Sequence, residues 1–157
     1  MKVSQIMTAP AISVYEDDRI LTAAKLMEEY RIGCVVVIDD YDRPIGLVTD
    51  RDIITRGIAY EVPLRAPVRE IMSTRLYVIY EDEEVPVASY FMGAKQVKRL
   101  IVLDHHNRLK GIISLGDIAT TEYNEHSVGE TVARISYPYS DWVNNPHFGV
   151  EVDDFRL

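Results

Sequence analysis

Two short stretches of this chain carry a hydroxyl residue and an aspartate at the same spacing. Asp52 follows Thr49 by three residues, and Asp117 follows Ser114 by three residues. A glycine and two apolar residues precede each hydroxyl residue, which is typical of the end of a buried strand. The hydroxyl and the aspartate then fall on the turn into a helix, where free backbone N–H groups attract anions. Such a turn could hold a phosphate, and its aspartate could accept hydrogen bonds from two neighbouring hydroxyls, such as a ribose diol.

The same residues have a purely structural interpretation. Thr49 and Ser114 are also good helix N-caps, and an acidic residue in a first turn interacts favourably with the helix dipole. One copy would favour this simpler interpretation. Two copies at one offset, inside a longer repeat, favour a pair of binding sites.

The two stretches belong to a repeat with a period of 65 residues. Over positions 3–56, fifteen of 54 residues recur 65 positions later. Their first members are Val3, Ile6, Met7, Tyr15, Glu16, Asp17, Ala23, Met27, Val37, Asp39, Arg43, Gly46, Asp52, Ile53 and Thr55. A unit of about 60 residues buries too little surface to stand well alone, so the copies are expected to share a core and fold as one domain. The predicted organisation is repeat 1 over 1–60, repeat 2 over 66–125, and a C-terminal helix with an acidic aromatic arm over 126–157.

Hydrophobic periodicity predicts the order β-α-β-β-α in each unit. The predicted strands are 11–14, 34–38 and 44–49 in the first copy and 76–79, 100–103 and 110–114 in the second. The predicted helices are 20–30, 51–59 and 84–95, with one opening at Asp117 and another, after a capping box at Ser127 and Glu130, running to about Ile135. Residues 137–157 show no period, but their five aromatic side chains favour an arm that docks on the module or on a partner subunit over a disordered tail.

Composition excludes several classes of protein. The net charge of −8 argues against nucleic acid as the main partner, because binding to a phosphate backbone needs clustered Lys and Arg. No apolar run approaches the roughly 18 residues of a membrane span, and no signal peptide is expected at the N-terminus. A single cysteine fits a reducing compartment, so a cytoplasmic location is expected.

The repeated unit resembles the CBS domain, and the tandem resembles a CBS pair, or Bateman module. The resemblance covers about residues 1–125. It rests on Ile6-Met7-Thr8 and Ile71-Met72-Ser73, on strands 35–39 and 100–104, and above all on 46–52 and 111–117, of which 46–53 is especially similar to stand-alone bacterial CBS-pair proteins. The resemblance implies an α/β fold in which two β-α-β-β-α repeats pack as one pseudo-twofold module. It also implies an adenosyl ligand such as AMP, ADP, ATP, S-adenosylmethionine or NAD.

The roles of individual residues follow from the resemblance. It assigns ribose binding to Asp52 and Asp117, and the phosphate side to Thr49 and Ser114. The adenine pockets would be lined by Thr8, Ala11, Ile12, Cys34, Val35, Ser73, Leu76, Tyr77 and Leu100.

The two clefts are not expected to be equivalent. Lys98 and Arg99 replace Gly33 and Cys34, and two cations at a strand start would favour a phosphate-rich ligand. Arg51 could also reach a phosphate. The alternatives are that Arg51 lies on the surface and that Lys98 extends into solvent.

Tyr77 replaces Ile12 in the second copy. Its ring could stack on an adenine or pack in the core. Taken together, the differences between the copies predict that one cleft binds tightly and the other weakly or not at all.

Other candidate sites have simpler explanations. His105 and His106 fall in a hairpin turn without a further histidine at ligand spacing, so no metal site is expected. Cys34 opens a buried strand and is interpreted as an inert core thiol. The acidic clusters at 17–18 and 81–84 precede helices and act as caps. No catalytic constellation emerges, and the chain is not expected to be an enzyme.

The predicted function is therefore a non-enzymatic regulatory sensor that binds an adenosyl ligand between its repeats and signals by altered packing. The resemblance also implies a homodimer formed through the helix faces, and a separate effector protein is possible. The alternative is an interaction or scaffold protein whose clefts are vestigial.

Overall fold

The computed structural model describes residues 1–121 and 125–136, with side chains for 1–121 and 128–136. The first repeat contains β1 (Ser13–Tyr15), α1 (Ile20–Tyr30), β2 (Cys34–Ile38), β3 (Pro44–Thr49) and α2 (Asp50–Asp52), which continues as a π turn (Ile53–Gly57) and a 3-10 turn (Ile58–Tyr60). The second contains β4 (Val78–Tyr80), α3 (Val85–Lys95), β5 (Arg99–Leu103), β6 (Leu109–Ser114) and α4 (Leu115–Ala119). Short 3-10 helices precede the repeats at Val3–Gln5 and Val68–Glu70, and α5 (Glu125–Ser136) follows them.

Each repeat forms a three-stranded sheet with its strands in sequence order. The first two strands are parallel because a helix crosses over between them, and the second and third form an antiparallel hairpin. Both hairpins have a bulge at the same place, between Val37 and Ile38 and between Val102 and Leu103. The α/β fold with two equivalent repeats is confirmed.

The segment that leads into each repeat packs against the other repeat. Thr8 exchanges two backbone hydrogen bonds with Ile112 of β6, of 2.9 and 3.0 Å. In the same way, Ser73 exchanges two bonds of 2.9 Å with Leu47 of β3. The two repeats are therefore bound to each other by main-chain hydrogen bonds on both sides of the pseudo-twofold axis.

This exchange explains the glycine that opens each repeated stretch. A Cβ atom on Gly111 would lie 2.6 Å from the carbonyl oxygen of Thr8, and one on Gly46 would lie 2.4 Å from the sulfur of Met72. Both distances are far below a normal contact. Glycine is needed here because the lead-in of the opposite repeat crosses directly over it.

Within the described residues, the hydrophobic core has three parts, and each contains residues from both repeats or their lead-ins. Val68 and Ile71 are buried among the side chains of the first repeat, and Val3 is buried among those of the second. The third part lies between the two sheets and joins Val36 of β2 to Ile101 of β5.

Several elements differ in detail from the sequence-based expectation. The helix predicted at 51–59 is one α turn followed by a π turn and a 3-10 turn, with Gly57 at the junction. The first strand of each repeat starts two residues later than predicted. Helix α5 already begins at Glu125, so Ser127 lies inside it and is not its cap. Pro86 lies in the first turn of α3, where its missing N–H leaves no helical hydrogen bond unmade. The predicted arm at 137–157 lies outside the described residues.

Candidate functional site

The repeated hydroxyl and aspartate form a closed capping box in both copies. The carboxylate oxygen Oδ2 of Asp52 accepts hydrogen bonds from the backbone N–H of Thr49 at 2.9 Å and from its hydroxyl at 2.8 Å. Ser114 makes the same two bonds to Asp117, both of 2.7 Å. The hydroxyl oxygen in turn accepts from the backbone N–H of the aspartate, at 3.1 and 3.2 Å. The structural interpretation of these residues therefore holds, and a ligand must use what the box leaves available.

The second oxygen of each aspartate has different surroundings. Oδ1 of Asp52 lies 3.7 Å from Nε of Arg56, one turn further along the chain. Within the described part of the chain, Oδ1 of Asp117 meets no hydrogen-bond donor. Threonine occupies the position equivalent to Arg56 in the second repeat, at Thr121. Among the described residues, Oδ1 of Asp117 thus has neither a donor nor a cationic partner, whereas Oδ1 of Asp52 is paired with a cation.

A cavity of about 180 Å³, the Asp117 cleft, lies between the repeats. Ser114 and Asp117 come from the second repeat, and the opposite wall comes from the first repeat and its lead-in. That wall contains Thr8, Ala11, Ile12, Ile32, Gly33 and Cys34. The exchange of lead-ins brings this wall close to Ser114, because Thr8 is hydrogen-bonded to Ile112 of β6, two residues before Ser114. This cleft is mostly apolar, and Arg99 is the one cation among its lining residues.

A second cavity of about 410 Å³, the Thr49 cleft, lies in the pseudo-symmetric position. Thr49 and Arg51 come from the first repeat, and Ser73, Leu76, Tyr77 and Leu100 face them from the second. Four cations line this cleft: Arg51, Arg75, Lys98 and Arg99. Asp50 contributes a carboxylate, but Asp52 does not reach the cavity. The Thr49 cleft therefore has the electrostatics of a polyphosphate site, and its carboxylate comes from Asp50 and not from the aspartate equivalent to Asp117.

Arg99 lines both clefts because it stands at the start of β5, beside the pseudo-twofold axis. Its guanidinium lies 3.6 Å from where a Cβ on Gly33 would be, so the glycine leaves room for it. Burial raises the pKa of the Cys34 thiol above its ordinary value, and the nearby Arg99 acts in the opposite direction. Cys34 is thus a neutral, buried wall residue at physiological pH.

Tyr77 satisfies both of the interpretations that its position allowed. It packs edge-to-face on Phe91, with ring centroids 6.4 Å apart, and lies against the core of the second repeat. It also lines the Thr49 cleft, where one part of the ring is available to a ligand.

The structure brings most of the predicted site residues to one of the two clefts. Thr8, Ala11, Ile12, Cys34, Ser114 and Asp117 line the Asp117 cleft, whereas Thr49, Arg51, Ser73, Leu76, Tyr77, Lys98 and Leu100 line the Thr49 cleft. Two predicted residues lie elsewhere. Val35 is completely buried in the core of the first repeat, because its side chain alternates away from the cleft, and Asp52 faces its own capping box.

Sequence reasoning missed Arg75, which adds a fourth cation to the Thr49 cleft. Its counterpart in the first repeat is Pro10. A cation in place of a proline, within the segment predicted to line the adenine pocket, is the sequence feature that could have indicated Arg75.

No metal centre emerges within the described residues, which contain no cluster of three potential His, Cys, Asp or Glu ligands. His105 instead stacks on Tyr80, with ring centroids 4.9 Å apart, and lies 3.1 Å from a carboxylate oxygen of Asp82. Among the described helices, none has the length and apolar character of a bilayer span.

Comparison with known proteins agrees with this architecture. The CBS-domain model matches residues 3–58 and 68–122. The CBS domain-containing protein YhcV of Bacillus subtilis is 33% identical over 135 residues, covering 86% of this chain and 95% of that protein.

Two solved structures have the same fold. Hypoxic Response Protein I with two coordinated zinc ions is 32% identical, with a TM-score of 0.69 and coverage of 76% of this chain and 97% of that one. The CBS domain pair of protein MJ0100, in complex with 5′-methylthioadenosine and S-adenosyl-L-methionine, is 25% identical, with a TM-score of 0.68 and coverage of 76% and 93%. The chain belongs to the CBS-domain family and carries a tandem CBS pair.

Proposed function

We propose that this chain is a non-enzymatic sensor that binds an adenosyl ligand in the Asp117 cleft. The observation that carries the proposal is the composition of that cleft, in which Asp117 and Ser114 of one repeat face an apolar wall built by the other. A ribose diol would donate to the available oxygen of Asp117, and an adenine would lie against Ala11, Ile12 and Cys34. The MJ0100 pair, which binds two adenosyl compounds, supports this ligand class.

The Thr49 cleft suits the phosphate groups of a ligand better than its nucleoside. Arg51, Arg75 and Lys98 would bind phosphates, but Asp52 would not accept from a ribose there because it does not line the cleft. We therefore expect this cleft to favour polyphosphates and to discriminate poorly between nucleosides.

The signal would arise because every ligand in the Asp117 cleft contacts both repeats. A ligand that binds one relative position of the repeats more tightly shifts the population toward that position. The hydrogen bond between the Ser114 hydroxyl and Asp117 gives the site a local switch, since a ligand phosphate competes for the same hydroxyl proton. The backbone bond from Ser114 to Asp117 would remain when the hydroxyl turns away.

Exposed apolar side chains on the first repeat support a homodimer. Ile54 and Ile58, one turn apart after α2, are 57% and 62% exposed. Leu21 and Leu64, joined by a backbone hydrogen bond of 3.0 Å, add further exposed apolar surface to the first repeat. On the second repeat, α5 covers α3 and α4 instead. We propose that a second copy packs against the apolar face of the first repeat, made of these four residues.

Thermal unfolding in the presence of AMP, ADP, ATP, S-adenosylmethionine and NAD tests the sensor function. A ligand at one hundred times its dissociation constant adds about 2.7 kcal/mol per site. For a chain of this length, that raises the unfolding midpoint by about 5–10 °C. One ligand class should produce such a shift, and at the same ligand concentration the shift should fall to about half or less in Asp117→Ala.

A scaffold protein without a ligand is the second candidate. It is favoured by one observation, that both aspartates already form capping boxes with their own hydroxyl residues. No shift with any of the five ligands would support the scaffold and refute the sensor.

A further inference from the structure

Helix α5 has no counterpart in the first repeat, and it covers a third cavity. This cavity, the α5 chamber, measures about 490 Å³ and lies between α5, the start of β5 and helix α4. It adjoins the Asp117 cleft, because Ser114 and Arg99 line both. The matched CBS domains end at residue 122, so α5, which forms one side of the chamber, lies outside them.

The position of α5 is specified by contacts with the second repeat. The hydroxyls of Ser89 and Thr131 are 2.9 Å apart and both buried. The side-chain amide of Gln96 donates to the carbonyl of Arg134 at 3.1 Å. Gly93 leaves space for the helix, since a Cβ there would lie 3.1 Å from Cδ of Arg134. The chamber is therefore bounded by a helix that is held in place by polar as well as apolar contacts.

The chamber also explains a difference between the two repeats. The first repeat has the exposed residues Asp50 and Arg51 after its hydroxyl residue, whereas the second has Leu115 and Gly116. Leu115 packs against the core of the second repeat, together with Val128 of α5. A charged residue at position 115 would be partly buried against the core and α5, which would cost hydration energy without providing a partner, whereas Gly116 is exposed.

The lining of the chamber changes from polar to apolar with distance from the cleft. Ser114 and Arg99 stand where it meets the Asp117 cleft, Lys98 lines the chamber beside them, and these groups suit a phosphate. Beyond them the wall consists of Leu115, Ala119, Val128, Val132 and Ile135. Further phosphates would lose hydration there without gaining partners, whereas a flat ring would gain from burial.

We propose that the Asp117 cleft and the α5 chamber form one extended site for a 5′,5′-linked dinucleotide. One nucleoside binds at Asp117, the phosphate bridge lies at Ser114, Lys98 and Arg99, and the second ring system packs on the apolar wall beneath α5. The inference rests on the proposed function and specifies its ligand class. It also assigns α5 as the element that reports occupancy, because the ligand contacts it directly.

The test fills the chamber without changing the Asp117 cleft. Ala119 is exposed on α4, and it lines the α5 chamber but not the Asp117 cleft. Ala119→Phe would therefore occupy the space of the second ring. Ile54 is the equivalent position in the first repeat, where the described structure has no covering helix, so Ile54→Phe is the matched control. Calorimetric titrations with NAD and with AMP are compared for wild type and both variants, and Asp117→Ala identifies binding at the cleft.

Ala119→Phe should weaken NAD binding at least about tenfold and change AMP binding by less than about twofold. Ile54→Phe should change neither affinity. Unchanged NAD affinity in Ala119→Phe, or an equal loss for AMP, would refute the extended site. If Ala119→Phe does not fold, Val132→Trp fills the chamber from α5 and decides by the same criteria.

The outcomes separate this inference from the function on which it rests. Binding of AMP that depends on Asp117, without any binding of NAD there, would refute the dinucleotide and leave the sensor intact. Failure of both probes to bind in an Asp117-dependent way would refute both proposals.

Discussion

Replacing Gly111 by alanine tests the exchange of lead-ins that builds both clefts. The new Cβ would lie 2.6 Å from the carbonyl oxygen of Thr8, which is a backbone atom and cannot rotate away. The lead-in must move, and its two hydrogen bonds with Ile112, of 2.9 and 3.0 Å, are then lost or weakened. At about 1 kcal/mol per bond, the variant should lose about 2–3 kcal/mol of folding free energy.

The matched variant is Gly46→Ala at the equivalent position in the first repeat. There the nearest atoms are Sδ and Cγ of Met72, the end of a flexible side chain that can change rotamer. We expect a smaller loss of about 1 kcal/mol. Denaturant unfolding measures both, and for a chain of this length the midpoints by heating should fall by about 4–12 °C and about 2–4 °C.

Binding gives an independent readout of the same change. Because Thr8 lines the Asp117 cleft, Gly111→Ala should also weaken binding there, whereas Gly46→Ala should spare it. Equal destabilisation by the two substitutions, or a larger loss for Gly46→Ala, would contradict the argument that a fixed backbone contact dominates at Gly111.

Two further predictions concern the fold and the assembly. The backbone N–H of Arg108 is the main reason why the pKa of the Asp104 carboxyl lies below its ordinary 3.8; partial burial opposes it, and the N–H of His106 and the Arg108 guanidinium reinforce it. Because the pKa is lower in the folded state, the Asp104 carboxylate stabilises the protein fully above pH 3.8, and this stabilisation is lost as the pH falls through the folded pKa. Acid unfolding of Asp104→Asn should therefore show a weaker pH dependence below about pH 4 than that of wild type. Identical acid-unfolding profiles for the two proteins would contradict this. Ile58→Glu should convert a dimer into a monomer in light-scattering measurements, whereas Val87→Glu on the second repeat should not; a dimer that survives Ile58→Glu would exclude the proposed face.

Much of the fold follows from the sequence because each repeat makes its own sheet. Strand β2 was predicted with its observed bounds, since a continuous β-branched run has no competing helical period. The short first strands were placed too early, because the residues before Ser13 and Val78 are extended but do not belong to the regular ladder: Ile12 and Tyr77 each accept a backbone hydrogen bond, from Val36 and Ile101 of the same repeat.

The exchange of lead-ins could not be predicted in the same way. Ile6-Met7 and Ile71-Met72 are identical pairs, so each would fit the core of either copy and the sequence pattern does not say which one it enters. Chain geometry decides this, and its trace in the sequence is the glycine that faces each lead-in.

The sequence predicted which residues line the candidate site better than it predicted how the two clefts differ. The resemblance identified the wall residues, but it treated Asp52 and Asp117 as equivalent. Their difference depends on Arg56, which lies one turn beyond Asp52 and has Thr121 as its counterpart. Similarly, Leu115 could not be explained before the structure placed it in the same apolar cluster as Val128 of α5.

The central claim is that the available carboxylate oxygen of Asp117 binds the ribose of an adenosyl ligand. Calorimetric titration of the most stabilising ligand into wild type, Asp117→Ala and Asp52→Ala tests it most directly. Hydrogen bonds to a carboxylate contribute about 1.5–3 kcal/mol, so Asp117→Ala should weaken binding about ten- to a hundredfold, and Asp52→Ala should weaken it much less. An unchanged dissociation constant in Asp117→Ala, or a greater loss in Asp52→Ala, would contradict the account.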